Sequence, residues 1–254
     1  MSRRGDLKRN LFIPMWPTPN TVMSAVTLRY GGISSSPFGS NNLAAHVGDD
    51  PISVASNRRN MLAQMGGFKS PLWLDQVHGT TIVDADESQD GIMADGSYSR
   101  KQNRVCLVLT ADCVPILLCN RRGDQVAAVH AGWRGLSEGI ISRAVSLFGD
   151  PSDVLVYLGP AIGVDAYEVN EDVRRSFLNV ADESNYADRL SQAFKPTKDR
   201  FMLDLCELAK IQLSHVGVHS VYGGNCCAFS DEKSFFSVRR DKITGRNASM
   251  IWLR

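Results

Sequence analysis

The sequence predicts a single α+β domain with mixed β-sheets flanked by helices, and three observations carry that expectation. The chain has 254 residues, enough for one domain to bury roughly three quarters of its unfolded surface. Short Val-rich runs at 105–109, 125–129 and 153–158 are too brief for helices and read as buried strands. Between the last two the apolar period changes from two to about 3.6. Leu136, Ile140, Ile141, Ala144, Val145 and Phe148 then share one helical face, and Gly149 followed by Pro151 ends the helix. Strand, helix and strand form a βαβ unit with a right-handed crossover.

Taken in order, residues 1–20 read as a loosely ordered N-terminal arm whose first ten residues are basic and solvated, and 21–254 as the domain itself. A strand over 21–30 is broken by Gly31 and Gly32. Residues 33–50 show neither period; a polar, glycine-punctuated loop of this length is often functional, and it holds His46. Helical spacing returns over 51–65 through Ile52, Ala55, Arg58, Arg59 and Leu62, with Asp49 or Asp50 as N-cap. Residues 71–78 form a strand ending at His78-Gly79, 80–85 form another, and 86–103 are a polar excursion. Asn170 caps a helix to about residue 180, before a charged, low-order stretch over 181–200. Residues 201–216 read as a long helix burying Leu205, Leu208, Ala209, Gln212 and Leu213, with Gly217 just beyond its end. His215 and His219 flank that end, where a cation suits the helix dipole. Strands follow at 218–222, 235–239 and 248–253, the last two joined by a turn at 241–245.

Charge and composition narrow the partners. Lys plus Arg number 28 and Asp plus Glu 27, for a net charge of +1. That balance argues against nucleic acid or an anionic membrane as partner and for a small-molecule substrate. No run of about 18 uncharged apolar residues exists. The start MSRRGDLKRN lacks the apolar region of a secretory signal. Six cysteines scattered through apolar segments fit free thiols in a reducing, cytoplasmic setting.

The chemistry concentrates at strand ends. His78, Cys113 and His130 each follow a predicted strand, the usual place for a site in a protein of this class. Two imidazoles and one thiolate suit Zn²⁺, and three protein ligands leave a fourth position open. The same residues suit a second chemistry: a Cys113 nucleophile activated by His130 and oriented by Asp112. The turn Gly132-Trp133-Arg134-Gly135 joins a strand to a helix N-terminus, an arrangement that attracts anions. Arg58 is a further candidate for anion contact.

Several motifs extend over nearly the whole chain: GGISSSPFGSNNLAAHVGDD (31–50), LDQVHG (74–79), ADG (94–96), TADCVPILL (110–118), AAVHAGWRG (127–135), GPAIG with YEV (159–163, 167–169) and FFSVRRDKITGRNASMIWL (235–253). In their order and spacing the sequence resembles the YfiH-type laccase-domain family, once called polyphenol oxidases and now understood as zinc-dependent purine nucleoside phosphorylases. The resemblance implies a fold similar to that of α+β cysteine hydrolases. It implies zinc ligands at His78, Cys113 and His130. It implies phosphorolysis of adenosine, inosine, guanosine or methylthioadenosine to base and pentose 1-phosphate, with adenosine deamination as a second activity. His46, Arg58, Asp112, Gly132, Arg134 and Gly135 are the residues expected to touch substrate or phosphate. The chain departs from many relatives at 164–166 and at Ala228 and Ser230, where they carry cysteine-containing motifs.

A copper-dependent polyphenol oxidase and a Cys113/His130 thiol hydrolase are the alternatives. Against copper stands the ligand supply: laccase oxygen chemistry uses several coppers and many histidines, and this chain has five histidines.

Overall fold

Strands whose side chains alternate between two apolar environments must be covered on both faces, and this chain answers with four stacked layers. The structure, a computed structural model, describes residues 10–67, 70–179 and 184–254. In chain order the elements are β1 (Leu11–Phe12), β2 (Val22–Thr27), α1 (Pro51–Gln64), β3 (Ser70–Leu72), β4 (Ile82–Asp84), β5 (Gly96–Ser99), β6 (Arg104–Thr110), β7 (Val114–Asn120), β8 (Val126–Ala131), α2 (Trp133–Ser137), α3 (Ile140–Ser146), β9 (Val154–Leu158), β10 (Glu168–Val169), α4 (Glu171–Leu178), α5 (Ser184–Ser191), β11 (Phe194–Pro196), β12 (Phe201–Leu203), α6 (Leu205–His215), β13 (Ser220–Gly223), α7 (Val238–Asp241) and β14 (Asn247–Leu253).

Two large sheets form the middle layers, one ordered β1-β2-β14-β6-β3 and the other β13-β9-β7-β8-β5-β4; β10, β12 and β11 make a small third sheet. Alternation along β7 shows the stacking. Leu117 and Cys119 join Cys106, Val108 and Ile251 in the core between the large sheets. Val114, Ile116 and Leu118 face the other way, against Leu136, Ile140, Phe177 and Leu208 of the helices. On the far side of the first sheet, Leu107 and Met250 pack on Leu43 and on Met61 of α1.

The α+β mixed-sheet expectation holds, and several elements differ from the sequence reading. β7, unassigned there, lies between β8 and β9 and pairs antiparallel with both. The strand–helix–strand unit therefore runs in parallel strands with β7 inserted between them. The helix expected from Leu136 is two, α2 and α3, parted by Gly139 at φ 85°. Its forecast face is still buried, from Leu136 to Phe148, because both pieces lie on the same sheet. α1 is capped by Asp50 but buries Val54, Asn57 and Met61, while Ile52 is 75% exposed. Asn57 decides that face. Its amide accepts from the Ile33 N–H and donates to Ser34 Oγ and to the carbonyls of Ser40 and Asn42, pinning the irregular loop that carries His46.

Residues 201–203 form a strand, not helix; Asp204 caps α6 by accepting from the Glu207 N–H at 2.9 Å. The stretch read as low-order contains α5 and β11. The strand expected at 235–239 is a loop and the short α7, because Ser237 Oγ accepts from the Arg240 N–H and starts a helical turn. Residues 1–9 of the expected arm lie outside the described residues. From Asn10 onward the arm is not loose, since Leu11 and Phe12 pair with β2 and Trp16 packs 5.8 Å from Tyr157. No helix among the described residues is long and apolar enough to cross a membrane.

Candidate metal centre

Three chain segments meet where the two large sheets part. β6 belongs to one sheet and β7 to the other, so Ala111, Asp112 and Cys113 must cross between them in three residues. Asp112 adopts φ 112° to do so. His130 was expected beyond a strand end but lies inside β8, its Cα paired with Pro115. Its neighbours Val129 and Ala131 face the helices, so alternation turns the imidazole toward the space between the sheets. His78 comes from the loop between β3 and β4 and adopts φ 61°.

The ligating atoms of His78, Cys113 and His130 all lie within 4.8 Å of one another. The two imidazoles meet edge to face at 4.7 Å. Burial raises the Cys113 thiol, but the charge of His130 and hydrogen bonds from His130 and His78 outweigh it and bring the pKa down to about 6. Burial lowers His130, and the thiolate with the Asp95 carboxylate reverses this and lifts it to about 9. Thiolate and imidazolium thus stabilise each other across the pair. The donor set fits a borderline-soft ion: an ionised sulfur, one imidazole whose Nδ1 is occupied 2.8 Å from Asp95 Oδ1, and a second imidazole at the surface.

Two residues that stand in the sequence motifs without an expected role hold this arrangement. Asp95, fully buried, accepts from the backbone N–H groups of Val77, His78 and Gly79 as well as facing His130. Its carboxyl is opposed by burial yet held low by those donors. Gln76 makes a two-way contact with Leu109, donating to its carbonyl at 2.9 Å and accepting from its N–H at 2.7 Å. The loop bearing His78 is thereby docked to the end of β6.

A cleft of about 450 Å³ opens over the trio. Of the residues expected around the substrate, His46, Asp112 and Arg134 line it. His130 Nδ1 faces Asp95 Oδ1 and not Asp112, whose Oδ2 accepts from the Arg239 N–H at 2.7 Å. Arg58 is not in the lining. Its Nε donates to the Leu43 carbonyl and its guanidinium lies 3.6 Å over the Trp73 ring. Gly132 and Gly135 are also outside the lining: a Cβ on Gly132 would stand 3.0 Å from His78 Cδ2 and 3.1 Å from Cys113 Sγ, and one on Gly135 would stand 2.9 Å from the Gly79 carbonyl. These glycines admit close packing of the ligands.

The cleft's cations come from elsewhere. Arg134, Arg239, Lys242 and Arg246 line it, and none of the four has a carboxylate ion-pair partner among the described residues. Arg29 and Arg240, by contrast, both pair with Asp241. Trp133, Tyr167, Ile162 and Val238 supply an apolar wall, with Arg239 5.1 Å over the Tyr167 ring. Arg239, Lys242 and Arg246 belong to the C-terminal motif: Arg239 lies in α7, Lys242 at its C-terminal cap and Arg246 just before β14.

Residues 23–254 match the sequence model of the family described as multi-copper polyphenol oxidoreductase laccase. Purine nucleoside phosphorylase YfiH of Escherichia coli is 44% identical over 245 residues, 96% of this chain and 98% of that protein. A purine nucleoside phosphorylase of Pseudomonas aeruginosa is 47% identical over 95% of this chain and 97% of its own length. Among solved structures, a Neisseria meningitidis protein superposes with TM-score 0.91 at 40% identity, covering 96% of this chain and 99% of its own. YlmD of Geobacillus stearothermophilus superposes with TM-score 0.89 at 30% identity, covering 99% and 98%.

Proposed function

The chain belongs to this laccase-domain family, and from that premise we propose that it is a zinc-dependent purine nucleoside phosphorylase. The observation that carries the proposal is that four cations without carboxylate partners among the described residues lie in the same cleft as the His78–Cys113–His130 trio. An unpaired cationic wall recognises an anionic co-substrate, and the apolar wall of Trp133 and Tyr167 suits a flat heteroaromatic base. His78, Cys113 and His130 would hold a zinc ion, which would supply Lewis-acid chemistry to the cleft.

In the reaction a phosphate oxygen forms a bond to C1′ of the sugar as the bond from C1′ to the purine nitrogen breaks. The electron pair goes to that nitrogen, which gains the proton that hydrogen phosphate loses on becoming the sugar phosphate ester. Arg239, Lys242 and Arg246 hold the phosphate and offset its charge as the sugar carbon becomes electron-poor. Asp112 keeps Arg239 in place through the backbone hydrogen bond already described. Adenosine deamination belongs to the proposal as a second activity of the same cleft. Six free thiols support a reducing, cytoplasmic location.

The copper-oxidase alternative lacks ligands. Besides the trio, His46 lies in the cleft, His215 is stacked 3.7 Å on Tyr186, and neither His215 nor His219 lines the cleft. The thiol-hydrolase alternative draws support from the lowered Cys113 pKa, yet it uses two of three converging groups and leaves His78 without a task.

Product analysis with inosine tests the proposal. Base release that saturates with phosphate and yields ribose 1-phosphate is expected, with adenosine deamination persisting without phosphate. Full-rate release of base and free ribose in phosphate-free buffer refutes it, and a trapped covalent Cys113 adduct establishes the thiol mechanism in its place.

A further inference from the structure

Asp95 is outside the donor trio, yet its carboxylate touches both of its histidine residues. Oδ1 accepts from the His78 N–H at 2.9 Å and faces His130 Nδ1 at 2.8 Å. Oδ2 accepts from the Val77 N–H at 3.2 Å and the Gly79 N–H at 2.6 Å. The residue is fully buried, so no water competes for these bonds. Three successive backbone N–H groups converging on one anion form a cradle that the chain fills with its own side chain. Resting on the reading of the trio as a metal centre, we infer that Asp95 is its positioning residue: one carboxylate fixes the left-handed His78 backbone and keeps the His130 proton on Nδ1, turning the Nε2 lone pair to the ion.

The argument turns on donor and acceptor counting. All four partners present an N–H, and a carboxylate answers with acceptors only. An amide of the same size has one acceptor and one donor. In Asp95→Asn the NH₂ group must face either Val77 and Gly79, where N–H meets N–H and the loop is pushed outward, or His78 and His130. In the second orientation His130 accepts at Nδ1, and its proton moves to Nε2, the nitrogen the metal needs. Either orientation damages one histidine ligand while leaving the buried volume nearly unchanged.

The test measures zinc affinity by chelator competition for wild type and Asp95→Asn, together with ¹⁵N NMR of the metal-loaded wild type. Affinity in the variant should fall about 10- to 100-fold, the usual cost of losing such a support. The wild type should show a slowly exchanging proton on His130 Nδ1 and protected amides at His78 and Gly79. A purely structural role would lower the melting temperature without moving the zinc affinity of the folded variant. Equal affinity in the variant, or a His130 Nδ1 proton that exchanges as freely as one on an exposed imidazole, overturns the inference. The NMR measurement decides even if the variant does not fold. A wild type that binds no zinc takes down the metal reading and this inference together, whereas wild-type binding with an unaffected variant takes down this inference alone.

Discussion

Adding one methyl group at Gly132 should uncouple metal binding from folding. The backbone there sits at φ −75°, so alanine meets no conformational penalty. Its Cβ, however, would stand 3.0 Å from His78 Cδ2 and 3.1 Å from Cys113 Sγ. Ordinary contacts between such atoms are about 3.5–4.0 Å, so each of the two ligands must retreat by roughly half an ångström. Metal–ligand distances tolerate about ±0.2 Å. The retreat therefore exceeds what the first coordination shell absorbs, and the zinc dissociation constant of Gly132→Ala should rise about tenfold or more, equivalent to about 1.4 kcal/mol. Folding should suffer less, because His78 is exposed and its ring can swing into solvent. Chelator competition at fixed pH reads the first quantity and thermal unfolding of the metal-free protein the second. Unchanged zinc affinity would show that the ligands do not stand where their closeness to Gly132 places them, and the reasoning would fail.

Four further outcomes are expected. Purified protein should carry about one zinc per chain, and stoichiometric copper by elemental analysis would contradict the ligand argument. In metal-free protein Cys113 should be alkylated with a midpoint near pH 6, since a lowered pKa makes the thiolate available from that pH upward, while Cys106, Cys119 and Cys206, each pushed up to about 12 by burial, stay inert; a Cys113 midpoint of 8 to 9 on the model-thiol scale would refute the ion pair. Arg246→Ala should raise the phosphate KM about tenfold or more while leaving phosphate-free adenosine deamination within about twofold, the loss expected of one charge-assisted contact of about 1.5–3 kcal/mol; equal loss in both reactions would deny it a phosphate-binding role. Phe177→Ala, which empties a fully buried site 5.8 Å from the Phe194 ring, should cost about 3–5 kcal/mol in denaturant unfolding, and a loss below 1 kcal/mol would mean that the helical layer collapses into the gap.

The trio was legible because its chemistry is rare: a thiol and two imidazoles after strand-like runs point to few alternatives. The supports were not. Asp95 sits in a run of polar residues where a carboxylate reads as solvated, and only the fold reveals that three N–H groups turn toward it. β7 escaped notice because Pro115 interrupts a run apolar on both faces, and neither period appears when both sides are buried. The glycines of 132–135 were read for an anion by analogy with helix N-termini, but the space around them is filled by His78, Cys113 and the Gly79 carbonyl. Residues 235–239 carry the aromatic and branched side chains of a strand, and one serine hydroxyl at Ser237 converts them to a helical turn. Local propensity lost there to a contact that periodicity does not record.

β14, the strand latest in chain order, does not lie at an edge. It pairs with β2 on one side and β6 on the other, and it follows directly on the segment that delivers Lys242 and Arg246 to the cleft. During synthesis the first large sheet must wait with a gap at its centre, two strand edges facing each other with no backbone partner. The emerging chain is therefore open to association with its neighbours until residues 247–253 have joined the sheet. Closing the gap is also the event that assembles the cationic wall, so chains lacking this strand carry neither a closed sheet nor a complete cationic cleft, and an intact cleft becomes a readout of the closed sheet.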